Sequence, residues 1–196
     1  MIDQVAGVIL AGGKSSRFGS NKALARHEGS CLIENITARL SPIFPETLLV
    51  TNTPAEYAFL GWEMIPDRFP ASGPLAGIHA ALSSIRQPRA FVCGCDMPLV
   101  NPELIRFLCS LADNHDIVLP WLSDGPEPLY AVYSKSSLPA ITENLQQGQR
   151  KIGLLFEKLR IRKVGEKEIL QIVPDLSTFH NVNHQHDLRR LAGNGP

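Results

Sequence analysis

LAGGKSSRFGSNK, residues Leu10 to Lys22, holds three glycines, two lysines and an arginine, and no acid, and it directly follows the apolar run VAGVIL. Backbone N–H groups crowded into a glycine-rich turn at the carboxyl end of a strand form an anion nest. A helix starting there adds its positive N-terminus. Arg17 and Lys22 would add cationic donors, Ser15 and Ser16 neutral ones, and the glycines let a ligand approach the backbone closely. These residue types suit a polyphosphate. A second apolar run, FVCGC, ends in Asp96 and is followed by Pro98. A single acid at the tip of a strand beside a phosphate loop is where Mg²⁺ would be held, because that ion prefers one or two carboxylates together with phosphate oxygens and water.

Neither common nucleotide fingerprint is present. GKS stands at Gly13 to Ser15, but the partner glycine of a P-loop would fall on Val8, and GxGxxG is absent. Two further stretches carry chemistry. In PDRFPASGPLAG, Asp67 follows a short strand, and GPLAG (Gly73 to Gly77) opens a helix with Pro74 at its start, where Gly77 would let the helix lie close to a ligand or a neighbouring loop. In FHNVNHQHDL, Asn181 and Asn183 fall on one face of an extended piece, placed to close the floor of a site. His180, His184 and His186 read as surface residues. The four cysteines lack CxxC spacing, and Cys93 and Cys95, although on one strand face, read as small buried residues.

These residues need a scaffold that brings strand ends together. Strands are expected at Val5–Leu10, Thr47–Thr51, Glu63–Ile65, Ala90–Gly94, Asp116–Leu119, Leu129–Ser134 and Ile161–Val164. Helices are expected at Cys31–Leu40, Pro74–Ile85, Pro102–Ala112, Lys135–Gln147 and Arg150–Leu159. Leu104, Ile105, Leu108 and Leu111 follow helical spacing, with Asn101 as N-cap and Pro102 at the first position. Alternating strands and helices predict an α/β fold of three layers: a mostly parallel central sheet with helices on both faces. The strand at Leu129–Ser134 is expected to pair antiparallel with its predecessor across the polar loop Trp121–Pro128. In such a sheet ligands bind beyond the carboxyl ends of the strands.

Composition narrows the function further. The 196 residues are 44% hydrophobic and 19% charged, with a formal net charge of zero, which argues against nucleic acid or a membrane as partner. No apolar run approaches a membrane span, and MIDQVAGVIL lacks the basic start and cleavage site of a signal peptide, so a cytoplasmic protein is expected. One domain over 1–193, with 194–196 as a frayed tail, and a monomer or weak assembly are expected.

Taken in order, LAGGKSSRFGSNK, Asp67 with GPLAG, CDMP (Cys95 to Pro98) and NVN resemble the molybdenum cofactor guanylyltransferase family, the bacterial MobA proteins. LYAVY after GPEP, and GQRKI (Gly148 to Ile152), resemble that family's second half. The opening motif alone is shared with many sugar-1-phosphate and cytidylyl transferases. The resemblance implies a Rossmann-like nucleotidyltransferase fold and a Mg²⁺-dependent transfer of GMP from GTP to Mo-molybdopterin, giving the guanine dinucleotide cofactor and pyrophosphate. The product would pass to molybdoenzymes or cofactor-handling proteins.

By position, the resemblance assigns Leu10, Ala11 and Gly12 to backbone contacts with the nucleotide, and Gly13 to clearance for the guanine edge or ribose. Lys22 and Arg17 would hold phosphates, Asp67 and Thr51 the nucleoside side, and Asp96 the metal. Apart from the resemblance, the residues themselves place Asn181, Asn183, Gly77 and Arg150 at the site floor or the pterin side, and set Lys151 and the loop Ser123–Glu127 near the pterin, a solvated loop being an equal reading. Phosphoryl-type transfer needs positioning and charge neutralisation, and a phosphate nucleophile needs no general base. Three departures stand out: Asn21 where the pattern has Asp, Phe18 where it has Met, and His184–Gln185 where it has Thr-Pro. The alternatives are a cytidylyl or other NTP transferase of the same fold, whose members more often carry LAAG than LAGG, and a non-catalytic carrier of molybdopterin or nucleotide.

Overall fold

The computed structural model describes residues 1–12, 21–27, 29–69, 71–183 and 186–188. Gly13, Ser15, Ser16, Arg17, Phe18, His184 and the tail at 194–196 lie outside them.

The first strand, β1 (Val5–Leu10), is buried along its whole length. After it come a two-stranded ribbon, β2 (Arg26–His27) and β3 (Ser30–Cys31), helix α1 (Leu32–Leu40), and strands β4 (Thr47–Val50) and β5 (Glu63–Ile65). Helix α2 (Pro74–Ser84), strand β6 (Arg89–Gly94) and helix α3 (Pro102–Ser110) complete the first half. The second half contains β7 (Ile117–Leu122), β8 (Gly125–Pro126), β9 (Tyr130–Ser134), α4 (Leu138–Gln146), β10 (Ile161–Gly165) and the short α5 (Glu166–Ile169).

One eight-stranded sheet runs in the order β10-β7-β9-β6-β1-β4-β5, with β8 on β7. β1 pairs in parallel with β4 and β6, β4 with β5, and β7 with β10. β9 runs antiparallel to both β6 and β7. The expected antiparallel pairing with the predecessor is therefore present, and the strand also inserts itself between β6 and β7. The predicted three-layer, mostly parallel α/β architecture is the one observed.

Alternation along β1 separates two cores. Val5 and Ile9 face α1 and α3 through Ile33, Ile36, Leu40, Leu104, Ile105 and Leu108. Ala6, Val8 and Leu10 face α2 and α4 through Leu75, Ile78, Leu82, Ile141 and Leu145. A strand buried on both faces must be apolar at every position, which is why VAGVIL shows no polar alternation. The α3 cap is as read: Asn101 Oδ1 accepts from the backbone N–H of Glu103 (2.9 Å) and Leu104 (3.1 Å).

One expected element is corrected. Arg150–Leu159 is not a helix; it holds a 3₁₀ turn at Ile152–Leu155 followed by turns. Leu155 is fully buried while Leu154 is exposed, and Ile152, Phe156 and Leu159 pack against the α2/α4 core from this irregular path. Burial of a few apolar side chains suffices here without a continued helical ladder. Among the described residues, no helix is long and apolar enough to cross a membrane.

Candidate active site

The carboxyl ends of β1 and β6 lie side by side, and the ladder extends past both: Cys95 N–H donates to Leu10 O (3.2 Å) and Ala11 N–H to Val50 O (2.9 Å). β1 leads through α1 to β4 on one side, whereas β6 returns on the other after α2 has crossed the opposite face. This is a topological switch point, where an open α/β sheet leaves a crevice.

Two charges meet in that crevice. Lys22 opens a 3₁₀ turn, Lys22–Leu24, that is capped by the side chain of Asn21. Its ammonium lies 2.7 Å from Asp96 Oδ2 and 3.3 Å from Asn183 Oδ1. The segment bearing Asn183 is fixed to the same spot, since Val182 N–H donates to Asp96 O (2.8 Å). Three chain segments far apart in sequence thus converge on one cation. Asp96 also sits tightly over β6: a methyl group at Gly94 would collide with its Oδ1.

The second wing of the crevice is the β5–α2 loop. Asp67 Oδ2 accepts from Asn52 Nδ2 (2.8 Å), and Asp67 N–H donates to Asn52 Oδ1 (3.2 Å). Asp67 Oδ1 is buried and has no hydrogen-bond partner among the described residues, so it is an acceptor awaiting a donor. Helix α2 starts after Gly73, whose φ of 68° is left-handed, and it approaches β1 so closely that a Cβ on Gly77 would lie 3.1 Å from Leu10 Cδ2. Gly77 therefore serves packing under the strand end.

Oxygen donors dominate the β6 side. The carboxylate of Asp96 and the amide oxygen of Asn183 are hard donors already converging on a cation. The carboxyl of Glu127 is raised from its usual range by burial and by the facing Asp124 and Asp96. The donor chemistry fits Mg²⁺ shared with phosphate oxygens. The thiol chemistry does not: burial and the neighbouring Asp96 push Cys95 up to about 12, so it stays a neutral core residue, as expected.

Residues 7–161 match the family described as MobA-like NTP transferase domain. This chain belongs to that family. The molybdenum cofactor guanylyltransferase of Desulfosudis oleivorans is 37% identical over 193 residues, covering 96% of this chain and 95% of its own. Among solved structures, molybdopterin-guanine dinucleotide biosynthesis protein A of Archaeoglobus fulgidus superposes with a TM-score of 0.83 at 30% identity, covering 94% of this chain and 95% of its own. A nucleotidyl transferase from Methanothermobacter thermautotroptrophicus, at 20% identity and a TM-score of 0.69 over 96% of each chain, shares the fold. The resemblance read from the motifs is borne out, and with it the assignment to a nucleotidyltransferase enzyme family.

Within this NTP transferase the expected site residues divide. Lys22, Asp96 and Asn183 are brought together, with Leu10 and Ala11 at the adjoining strand end. Gly12 is exposed, and a Cβ there would meet no atom of the described residues within 4 Å. Gly13 and Arg17 lie outside the described residues. Thr51 is 2% exposed and its hydroxyl accepts from Thr53 N–H (3.2 Å), so its side chain serves the turn. The residue that reaches Asp67 is Asn52, next to Thr51 and missed by the sequence reading; a polar side chain two residues beyond the end of β4 was the available signal. Asn181 is exposed and makes no side-chain hydrogen bond among the described residues. Arg150 and Lys151 are exposed and bond to none of these groups. The histidine reading holds for His180 and His186, both exposed.

Proposed function

We propose that this chain transfers the GMP moiety of GTP to the terminal phosphate of Mo-molybdopterin, giving molybdopterin guanine dinucleotide and pyrophosphate. The observation that carries the reading is the Lys22–Asp96–Asn183 convergence at the β1/β6 switch point, in a chain so similar to named guanylyltransferases. A phosphate oxygen of the pterin forms a bond to the α-phosphorus of GTP, the bond from that phosphorus to the β-phosphate oxygen breaks, and both electrons leave with pyrophosphate.

The chain's part is positioning and charge. The Leu10–Gly12 backbone, with Gly13, lies along the nucleotide. Lys22 and Arg17 offset charge on the departing pyrophosphate. Asp67, held by Asn52, directs its free oxygen toward N–H or O–H donors of the nucleoside. Asp96, with Asn183 as a further oxygen donor, would hold Mg²⁺, which would supply charge neutralisation for the phosphates. Asn181, Arg150, Lys151 and the Ser123–Glu127 loop remain on the acceptor side of this reading. It treats 1–193 as one catalytic unit working in the cytoplasm.

Calorimetric titration with GTP, CTP and ATP in the presence of Mg²⁺ tests it, followed by an assay with Mo-molybdopterin. Tightest binding and turnover with GTP support the reading. A preference for CTP moves it to cytidylyl transfer, and nucleotide binding without turnover moves it to a carrier.

A further inference from the structure

Asn21 stands beside the lysine of the site, and all three hydrogen-bonding positions of its amide that the structure engages point in defined directions. Oδ1 accepts from the backbone N–H of Ala23 (3.1 Å). Nδ2 donates to Glu56 Oε2 (2.6 Å) and to the hydroxyl oxygen of Tyr57 (2.7 Å). The backbone N–H of Ala23 can only donate and the Glu56 carboxylate can only accept, so the orientation of the amide is fixed by its partners. An amide is the one side chain of this size that offers an acceptor to the first and a donor to the second.

The two receiving residues differ in character. Tyr57 is 2% exposed and built into the α1/α3 core, which makes it a rigid post. Glu56 is exposed and belongs to the same 3₁₀ segment, Pro54–Leu60, following β4. The amide therefore ties the start of the Lys22–Leu24 turn to the core across 35 and 36 residues of sequence. Asn21 is also the N-cap of that turn, whose first residue is Lys22. Whatever fixes Asn21 fixes the backbone from which the Lys22 ammonium reaches Asp96.

We infer that Asn21 is a positioning residue that acts through Lys22, and that Glu56 is its matched partner, so that the Asn21–Glu56 pair replaces the aspartate seen at this place in the resembled motif. An aspartate at 21 would keep the cap on Ala23 and could accept from the Tyr57 hydroxyl. It would also set a second carboxylate at hydrogen-bond distance from Glu56 with no proton between them. Exchanging both residues together, to aspartate and glutamine, reverses the donor and acceptor and restores the bond. The inference rests on the nucleotidyl-transfer reading for its kinetic part only.

The experiment compares the wild-type chain with N21D, E56Q and N21D/E56Q, by thermal unfolding and by initial rates of pyrophosphate release with Mg²⁺, GTP and Mo-molybdopterin. N21D is expected to unfold at a lower temperature and to lose about tenfold in kcat, with KM for GTP changed much less, because a displaced lysine fails the leaving group more than the bound nucleotide. E56Q alone is expected to stay close to wild type, and N21D/E56Q to recover both the unfolding temperature and kcat. An N21D chain with wild-type kcat in an active enzyme, or a double variant no better than N21D, overturns the inference. If the wild-type chain releases no pyrophosphate, the proposed function fails, and recovery of unfolding temperature in the double variant still decides the pairing by itself.

Discussion

Lys22 Nζ and Asp96 Oδ2 lie 2.7 Å apart, joining residues separated by 74 positions, and both side chains are about one-fifth exposed. The pair closes the crevice at the β1/β6 ends while leaving it reachable by a ligand. A cation and an anion so placed neutralise each other and hold the ends of β1 and β6 in one electrostatic unit.

Replacing Lys22 with methionine removes the cation and keeps most of the volume. Turnover should fall on the order of 100-fold, as for loss of one electrostatic group in a preorganised site. Asp96→Asn should lose turnover by at least as much, with GTP affinity in the absence of metal changed far less. Steady-state rates combined with calorimetry check both.

Gly94→Ala tests the seat of the carboxylate. The added methyl meets Asp96 Oδ1, so the carboxylate must leave its present seat, from which Oδ2 meets Lys22. A misplacement of this kind costs about 100-fold in rate when geometry governs the reaction. Circular dichroism should show a folded protein; a mutant with wild-type turnover would show that Asp96 need not occupy this position.

Asn52→Ala leaves Asp67 with two unheld oxygens. GTP affinity should weaken by up to roughly tenfold, about the worth of one hydrogen bond. Thr51→Val, one residue away, should instead lower the unfolding temperature and leave GTP affinity nearly unchanged.

Asp116 gives a pH prediction away from the site. It is 6% exposed, and Arg160 forks onto it through Nε (3.1 Å) and Nη2 (3.0 Å). The Arg160 guanidinium holds its carboxyl well below the usual carboxylate range, with Ser136 adding a further donor. A folded-state pKa below the unfolded one means that the stabilisation is complete above about pH 4, the unfolded value, and drains away as pH falls toward the folded value. Asp116→Asn should cost about 1–3 kcal/mol at pH 7 and flatten the acid limb of the stability curve, measured by urea unfolding from pH 3 to pH 7.

Much of this was legible in the sequence wherever local chemistry decides. Asn101, Pro102 and the spacing of Leu104, Ile105 and Leu108 fixed α3 because a cap and an apolar face act within a few residues. Asp96 stood out because an acid ends the apolar run of β6, and the fold sets it against Lys22. Partners across the fold were not. Lys22 pairs with Asp96, Asn21 with Glu56, and Asn52 with Asp67 only because strand order brings β1, β4, β5 and β6 together, and no local pattern encodes that order. The segment Arg150–Leu159 misled for a related reason: Ile152, Leu155, Phe156 and Leu159 mimic a helical stripe, but they join the core of α2 and α4 from a chain of turns.

The position of β9 has a consequence for how the molecule is made. β6, β1, β4 and β5 can pair as soon as residues up to Gly94 exist, and their half of the crevice forms with them. β7 reaches that half only through β9, which lies later in the chain than both of its neighbours. Until Tyr130–Ser134 has been synthesised, β6 presents a bare hydrogen-bonding edge to its surroundings. Pairings between strands so separated are slow to form. Joining of the two halves therefore waits for β9, and the interval before it pairs is the one in which the open β6 edge can meet another copy of the chain.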